Sequence, residues 1–182
     1  MRMLVNAIVG LCVIALLGVV WSKSSREQDE AARAAGAASA IRTIHQVLSY
    51  QAAFDKAPSN SRGWPITIDP AWFEGDPPRN PMVSGEHPWI EIASPAEAGL
   101  LHPQVRLAVS PTLAGLWYNP YQGVVRARVP VMISDAKSVA LYNQVNGTTL
   151  ATIFQKEIPL VVPMPDSRSV EAGMAPPATV GP

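Results

Sequence analysis

The chain has 182 residues, enough for one membrane anchor and one modest domain. Its 14 basic and 14 acidic side chains cancel, which removes the electrostatic reason to expect nucleic acid as a partner. The single cysteine, Cys12, lies inside an apolar run, so the rest of the chain can form no internal disulfide and must be stable through packing alone.

The first element is a long helix of two chemically different halves. Met3 to Ser22 carries no charged residue, and eleven of the residues from Leu4 to Trp21 are Leu, Ile or Val. On an insertion scale those eleven contribute roughly −3 to −7 kcal/mol, partly offset by Asn6, Gly10 and Gly18. A run of this length crosses a hydrocarbon core of about 30 Å, and Trp21 suits the interface. Residues 1–22 are therefore expected to be a retained transmembrane anchor in a lipid bilayer. Gly10, Ala15 and Gly18 are its small packing positions. A cleaved signal peptide fits less well, because the run is long and Trp21-Ser22-Lys23 is a poor cleavage site. A lipoprotein signal at Cys12 is weaker still, with Leu11 before it. Arg2 on one side and Lys23, Arg26 and Arg33 on the other do not decide orientation by charge. A short head with a large trailing domain places the domain outside the cytoplasm.

Residues 23–56 read as an amphipathic stem, capped at Ser24 or Ser25 or continuous with the anchor. Ala31, Ala34, Ala35, Ala38, Ile41, Ile44, Leu48 and Ala52 form a stripe at helical spacing, with Arg33, Arg42, Gln46 and Gln51 largely off it. Small side chains such as Ala34 and Ala38 allow a neighbouring helix to approach closely. A plain linker helix is the alternative. The whole element would be about 80 Å long, with a bend expected at Gly36 or near the membrane exit if anywhere.

Pro58 ends the helix and opens a domain over residues 57–163. Eighteen prolines, concentrated after residue 57, predict loops and short strands. Ile66–Ile68 and Trp89–Ile92 read as short strands. The clearest β signal is a hairpin: Leu116–Tyr118, a turn Asn119-Pro120-Tyr121-Gln122-Gly123, and a return strand Val124–Val129. Val125, Ala127 and Val129 share one face, and Val124, Arg126 and Arg128 the other. The two arginines are expected to face solvent or to pair with local acids. Ser134 caps a helix over Asp135–Asn146 that stops at Gly147, with Val139, Leu141, Tyr142 and Val145 inward. Ile158–Val162 is a last candidate strand. Residues 164–182 are expected to be disordered.

Ala40-Ile41-Arg42-Thr43-Ile44-His45-Gln46-Val47-Leu48-Ser49-Tyr50-Gln51-Ala52-Ala53-Phe54, followed by a loop with proline and tryptophan, resembles the stem of a bacterial pseudopilin. Tyr118-Asn119-Pro120 and the hairpin through Arg128 are similar to the sheet region of the same proteins. The order of elements between Met3 and Pro130 thus resembles the type IV pilin and type II secretion pseudopilin family. The resemblance implies an α+β fold in which a long transmembrane-plus-stem helix packs on a small antiparallel sheet. It also implies a single pass of the bacterial inner membrane, a periplasmic domain, and pilin-like or secretion-system subunits as partners through helix packing. The chain departs from the family at its start. Met1-Arg2-Met3-Leu4-Val5-Asn6 has no leader glycine and no Phe-Thr start, and the apolar run has no acidic residue to neutralise a neighbour's amino terminus. An unprocessed, pilin-like membrane protein is the expectation.

No enzymatic signature emerges. His45, His87 and His102 are scattered without metal-ligand spacing and read as surface or boundary residues, so neither a metal nor a cofactor is expected. There is no phosphate loop and no nucleophile elbow. Ser94-Pro95 and Ser110-Pro111 read as turns, and Glu86, Glu91 and Glu97 cannot be paired from spacing. Trp64, Trp72, Trp89 and Trp117 are expected to supply the core. The alternative function is a membrane-tethered binding module whose ligand surface is built on Trp72 and Trp89.

Overall fold

The structure, a computed structural model, describes residues 2–54, 56–83, 85, 87–157 and 159, and for residues 2–20 the backbone only. The protein is α+β. One helix, α1 (Arg2–Ala53), runs without interruption and packs on a three-stranded sheet together with a second helix, α2 (Asp135–Asn146). Among the described residues no helix is long and apolar enough to cross a membrane. The expected anchor, with Gly10, Ala15 and Gly18, falls on residues 1–20, whose side chains lie outside the described residues.

From Trp21 to Arg33 every side chain of α1 is exposed, Trp21 at 82 %. From Ala34 onward one face is buried, through Ala34, Ala37, Ala40, Ile44, Leu48 and Gln51. This corrects the expected stripe. Ala31 and Ala35 are exposed, Ala38 and Ala52 are half-buried, and Gln51 points inward. In an alanine-rich helix, hydropathy barely separates one face from the next, so contact with the domain decides. Gly36 marks that contact. The helix does not end there; instead Pro81 sits so close that a β-carbon on Gly36 would lie 2.9 Å from its Cγ. Ala34, expected at a contact with a neighbouring helix, is packed in this chain's own core.

The sheet has the order β1 (Ile90–Ile92), β2 (Leu116–Asn119), β3 (Val124–Ala127). The β2–β3 hairpin is antiparallel as the sequence predicts, with Leu116 opposite Ala127 and Asn119 opposite Val124. β1, however, pairs parallel to β2, so the sheet is mixed and not antiparallel. Parallel neighbours need a crossover, and the chain from Ala93 to Gly115 supplies it with a short 3-10 turn and loops. Ile66–Ile68 forms no strand; Ile68 is buried from a loop, while Pro65 makes an isolated bridge with Ser59. Of the expected strand Ile158–Val162 only Pro159 is described, and residues 164–182 lie outside the described residues.

Both faces of the sheet are covered. Leu116, Tyr118, Val125, Ala127 and Val129 meet Ile44 and Leu48 of α1 and Leu141, Tyr142 and Val145 of α2. On the other side Trp117 packs with Ala93 and Leu100. α2 begins as predicted, its Ser134 hydroxyl accepting from the Lys137 amide, and ends at Gly147 with φ +61°. Gly123 closes the hairpin at φ +65°, where only a residue lacking a side chain fits, because the Trp64 indole occupies the space within 2.1 Å of a β-carbon position.

Five of the six asparagines pin this loop-rich domain. Asn60 accepts from the amides of Arg62 and Trp64 and donates to Pro120 O. Asn80 donates to Gly115 O and Arg128 O and accepts from the Met82 amide. Asn119 donates to the carbonyls of Glu97, Ala98 and Leu100. Asn143 holds Thr148 and Leu150. Asn146, buried at the end of α2, accepts from the Ala127 amide and donates to Ala127 O, as a neighbouring strand would. These amides cross-link loops where a secreted domain would use disulfides.

Candidate functional site

The residues singled out from the sequence do not converge. Trp72 lies in the 3-10 turn Pro70–Phe73, which Asp69 caps by accepting from the Ala71 amide. Trp89 donates through Nε1 to Pro78 O and meets Phe73 edge-on at 5.5 Å. Both are half-buried and packed against the core, as is Trp64. Trp117 is fully buried, and its Nε1 has no partner among the described residues. A cavity beside Trp89 measures only about 70 Å³. His45 is exposed and tilts against Trp64, and His87 Nδ1 lies 2.8 Å from Leu113 O. Glu97 closes a capping box on Ser94, so both residues serve the turn. Ser110 Oγ meets Thr112 Oγ1, again within a turn. Glu86 lies outside the described residues.

Arg128 takes one of its two expected roles, pairing with an acid, but it does so inside the protein and not at the solvent face. It is 2 % exposed. Its Nη2 bonds Glu91 Oε2 at 2.6 Å, Nη1 donates to Ala114 O at 2.6 Å and Nε to Val105 O at 2.8 Å. The partner acid expected from the sequence is present, but the guanidinium is an internal clamp between β1, the crossover loop and the end of β3.

The chemically richest region was not expected. His102 is 7 % exposed, not a boundary residue. Its Nδ1 lies 3.0 Å from the Tyr142 hydroxyl and its Nε2 3.5 Å from Glu157 Oε1. Both neighbours favour the Nε2–H tautomer, with the Tyr142 hydroxyl donating to Nδ1. Glu157 Oε2 also accepts from the Leu101 and His102 amides. Arg126 donates through Nε to Leu101 O, and Arg106 through Nη1 to Ile153 O. Burial first, then the charges of Arg126 and Arg106, hold the His102 pKa down at about 4. Burial raises that of the Tyr142 phenol and lowers that of the Arg126 guanidinium. His102 is thus a neutral imidazole at pH 7. The cluster borders a cleft of about 540 Å³ whose walls include Leu100, His102, Gln104, Arg106, Phe154 and Lys156. Among the described residues no group of His, Cys, Asp and Glu could hold a metal ion.

The low histidine pKa makes stability depend on pH with a definite sign. The unfolded chain binds a proton near pH 6.5, while the folded one resists it until about pH 4. The contribution is complete above pH 6.5 and is lost as pH falls toward 4. Linkage gives a loss on the order of 2 kcal/mol at pH 5. Urea unfolding at pH 7 and pH 5 should show that loss, and His102→Gln should flatten it; an equal slope in the variant would assign the pH dependence elsewhere.

The site was hidden because its members come from four separate segments: the crossover loop, β3, α2 and the chain after α2. Histidine before proline reads as loop, and nothing at residue 102 points to Tyr142 or Glu157. Comparison with protein-family models, curated proteins and solved structures finds no match for the chain.

Proposed function

We propose that the chain is a membrane-anchored, pilin-like structural component of a secretion or pilus-type assembly, similar in design to the type IV pilins and type II secretion pseudopilins. The carrying observation is α1, one uninterrupted helix from Arg2 to Ala53. Its last turns form a wall of the domain core, and its preceding turns, Trp21 to Arg33, are exposed on all sides. A helix exposed over that length gains little from its own domain. It suits a spine that inserts into a bilayer at one end and meets neighbouring helices along its length. On this reading residues 1–22 make a single pass of the bacterial inner membrane and the domain is periplasmic. The partners are lipid and further pilin-like or secretion-system subunits. No catalytic role is proposed.

Gly10→Arg or Ala15→Arg should abolish co-purification with an assembly, through the cost of a charge in the bilayer and the loss of close helix packing. Ala35→Arg, at an exposed stem position that leaves the core untouched, should weaken it in the same assay. Full assembly by a chain carrying an unrelated transmembrane helix and an arginine at position 35 would sink the proposal.

A further inference from the structure

We propose that the cleft bordered by His102 and Arg106 binds a small organic monocarboxylate, an anion with an apolar body. The site is independent of how the chain assembles. Arg106 is 4 % exposed. Its Nη1 reaches Ile153 O at 2.9 Å, but its Nε has no partner among the described residues. A guanidinium is always charged and carries five N–H donors. Nε itself has no accessible surface, but the guanidinium lines the cleft and forms no ion pair among the described residues, so its buried charge is stabilised by an anion bound there.

The surrounding charges point the same way. Arg126 donates to the Leu101 carbonyl nearby, and Lys156 lines the cleft. Glu157 is the acid of the same lining, and its Oε2 is already held by two backbone amides. His102 stays neutral and adds no charge of its own. Arg106 and Lys156 against Glu157 leave one net positive charge on the lining of a cavity of about 540 Å³, large enough for a small molecule. One wall is apolar, with Leu100 and the 69 % exposed Phe154. An aromatic or branched aliphatic body would cover that ring. The single carboxylate at Glu157 disfavours a second negative charge on the ligand, which selects a monocarboxylate over phosphate.

The test uses the full chain in detergent, with benzoate as the probe and acetate and inorganic phosphate as comparisons. Benzoate should shift the His102 imidazole NMR signals saturably and raise the pH at which they titrate, because a bound anion favours the imidazolium. Acetate should bind more weakly for want of a ring, and phosphate more weakly for its second charge. Arg106→Gln should abolish binding. Because that buried substitution also risks the fold, exposed Lys156→Met and Phe154→Ala serve as independent variants, each expected to weaken benzoate about tenfold. Unmoved His102 signals at high benzoate, or undiminished binding by both surface variants, would overturn the site. Tighter binding of phosphate than of benzoate would overturn the ligand class.

Discussion

Replacing Arg128 by methionine should destabilise the domain by about 3–5 kcal/mol, the usual cost of removing one partner of a buried, hydrogen-bonded charge. The methionine fills much of the volume, so the loss is polar. Ala114 O and Val105 O lose their donors inside the protein, and Glu91 loses its counter-ion. Glu91 is 38 % exposed on its side chain, so water can recover part of its solvation. Glu91→Gln leaves the buried guanidinium without its carboxylate, but the glutamine oxygen can still accept from Nη2, so this variant should cost about 1–3 kcal/mol, less than Arg128→Met. Urea denaturation of the two variants separates the roles. Equal losses would mean that ionic attraction dominates; a larger loss for Arg128→Met identifies the carbonyl clamp. Arg128→Lys should resemble methionine more than arginine, because one ammonium cannot reach three divergent acceptors.

Asn119→Ala should cost about 3 kcal/mol. Asn119 has no exposed surface and closes the hairpin against the crossover loop. Its Nδ2 donates to Leu100 O at 2.8 Å and Glu97 O at 3.0 Å, and its Oδ1 accepts from the Tyr121 amide at 2.9 Å. Each buried group left unpaired costs about 1–3 kcal/mol. Asn119→Asp is the sharper variant. It keeps the acceptor toward Tyr121 but turns a carboxylate oxygen on carbonyls that need a donor. Its thermal midpoint should fall below that of Asn119→Ala. An aspartate as stable as the wild type would show that the donor side contributes nothing.

Elements set by local chemistry were legible in the sequence. Ser134 and Gly147 bracket α2 at the predicted residues, and Gly123 closes the predicted hairpin. Each depends on a cap or a backbone conformation that a few neighbouring residues dictate. The parallel placement of β1 was not legible, because Ile90–Ile92 carries no mark of its partner's direction. The buried face of α1 was misjudged where alanines stand side by side, and corrected only by Pro81 seating against Gly36. Arg128 was assigned by strand alternation to the face away from Val125 and Ala127, but alternation does not say whether that face is wet. Here Trp117, Ala93 and Leu100 cover it. Asn119 was read as a turn residue and Asn146 as a helix end, while Asn60, Asn80 and Asn143 carried no reading. Their reach across 19 to 60 residues of chain depends on the finished fold.

Asn146 is followed by Gly147, the neighbour that least hinders attack of a backbone nitrogen on an asparagine side chain. In the folded protein that reaction is opposed twice. The Asn146 amide is tied to Ala127 and Tyr142, and the Gly147 N–H is turned toward Asn143 O. Release of the end of α2 frees both partners. The aspartate or isoaspartate that results carries a carboxylate where Ala127 O requires a donor, so refolding does not restore the original edge. The bond pattern that seals the sheet therefore also sets the protein's ageing chemistry: each excursion from the native state risks a permanent chemical mark at one residue.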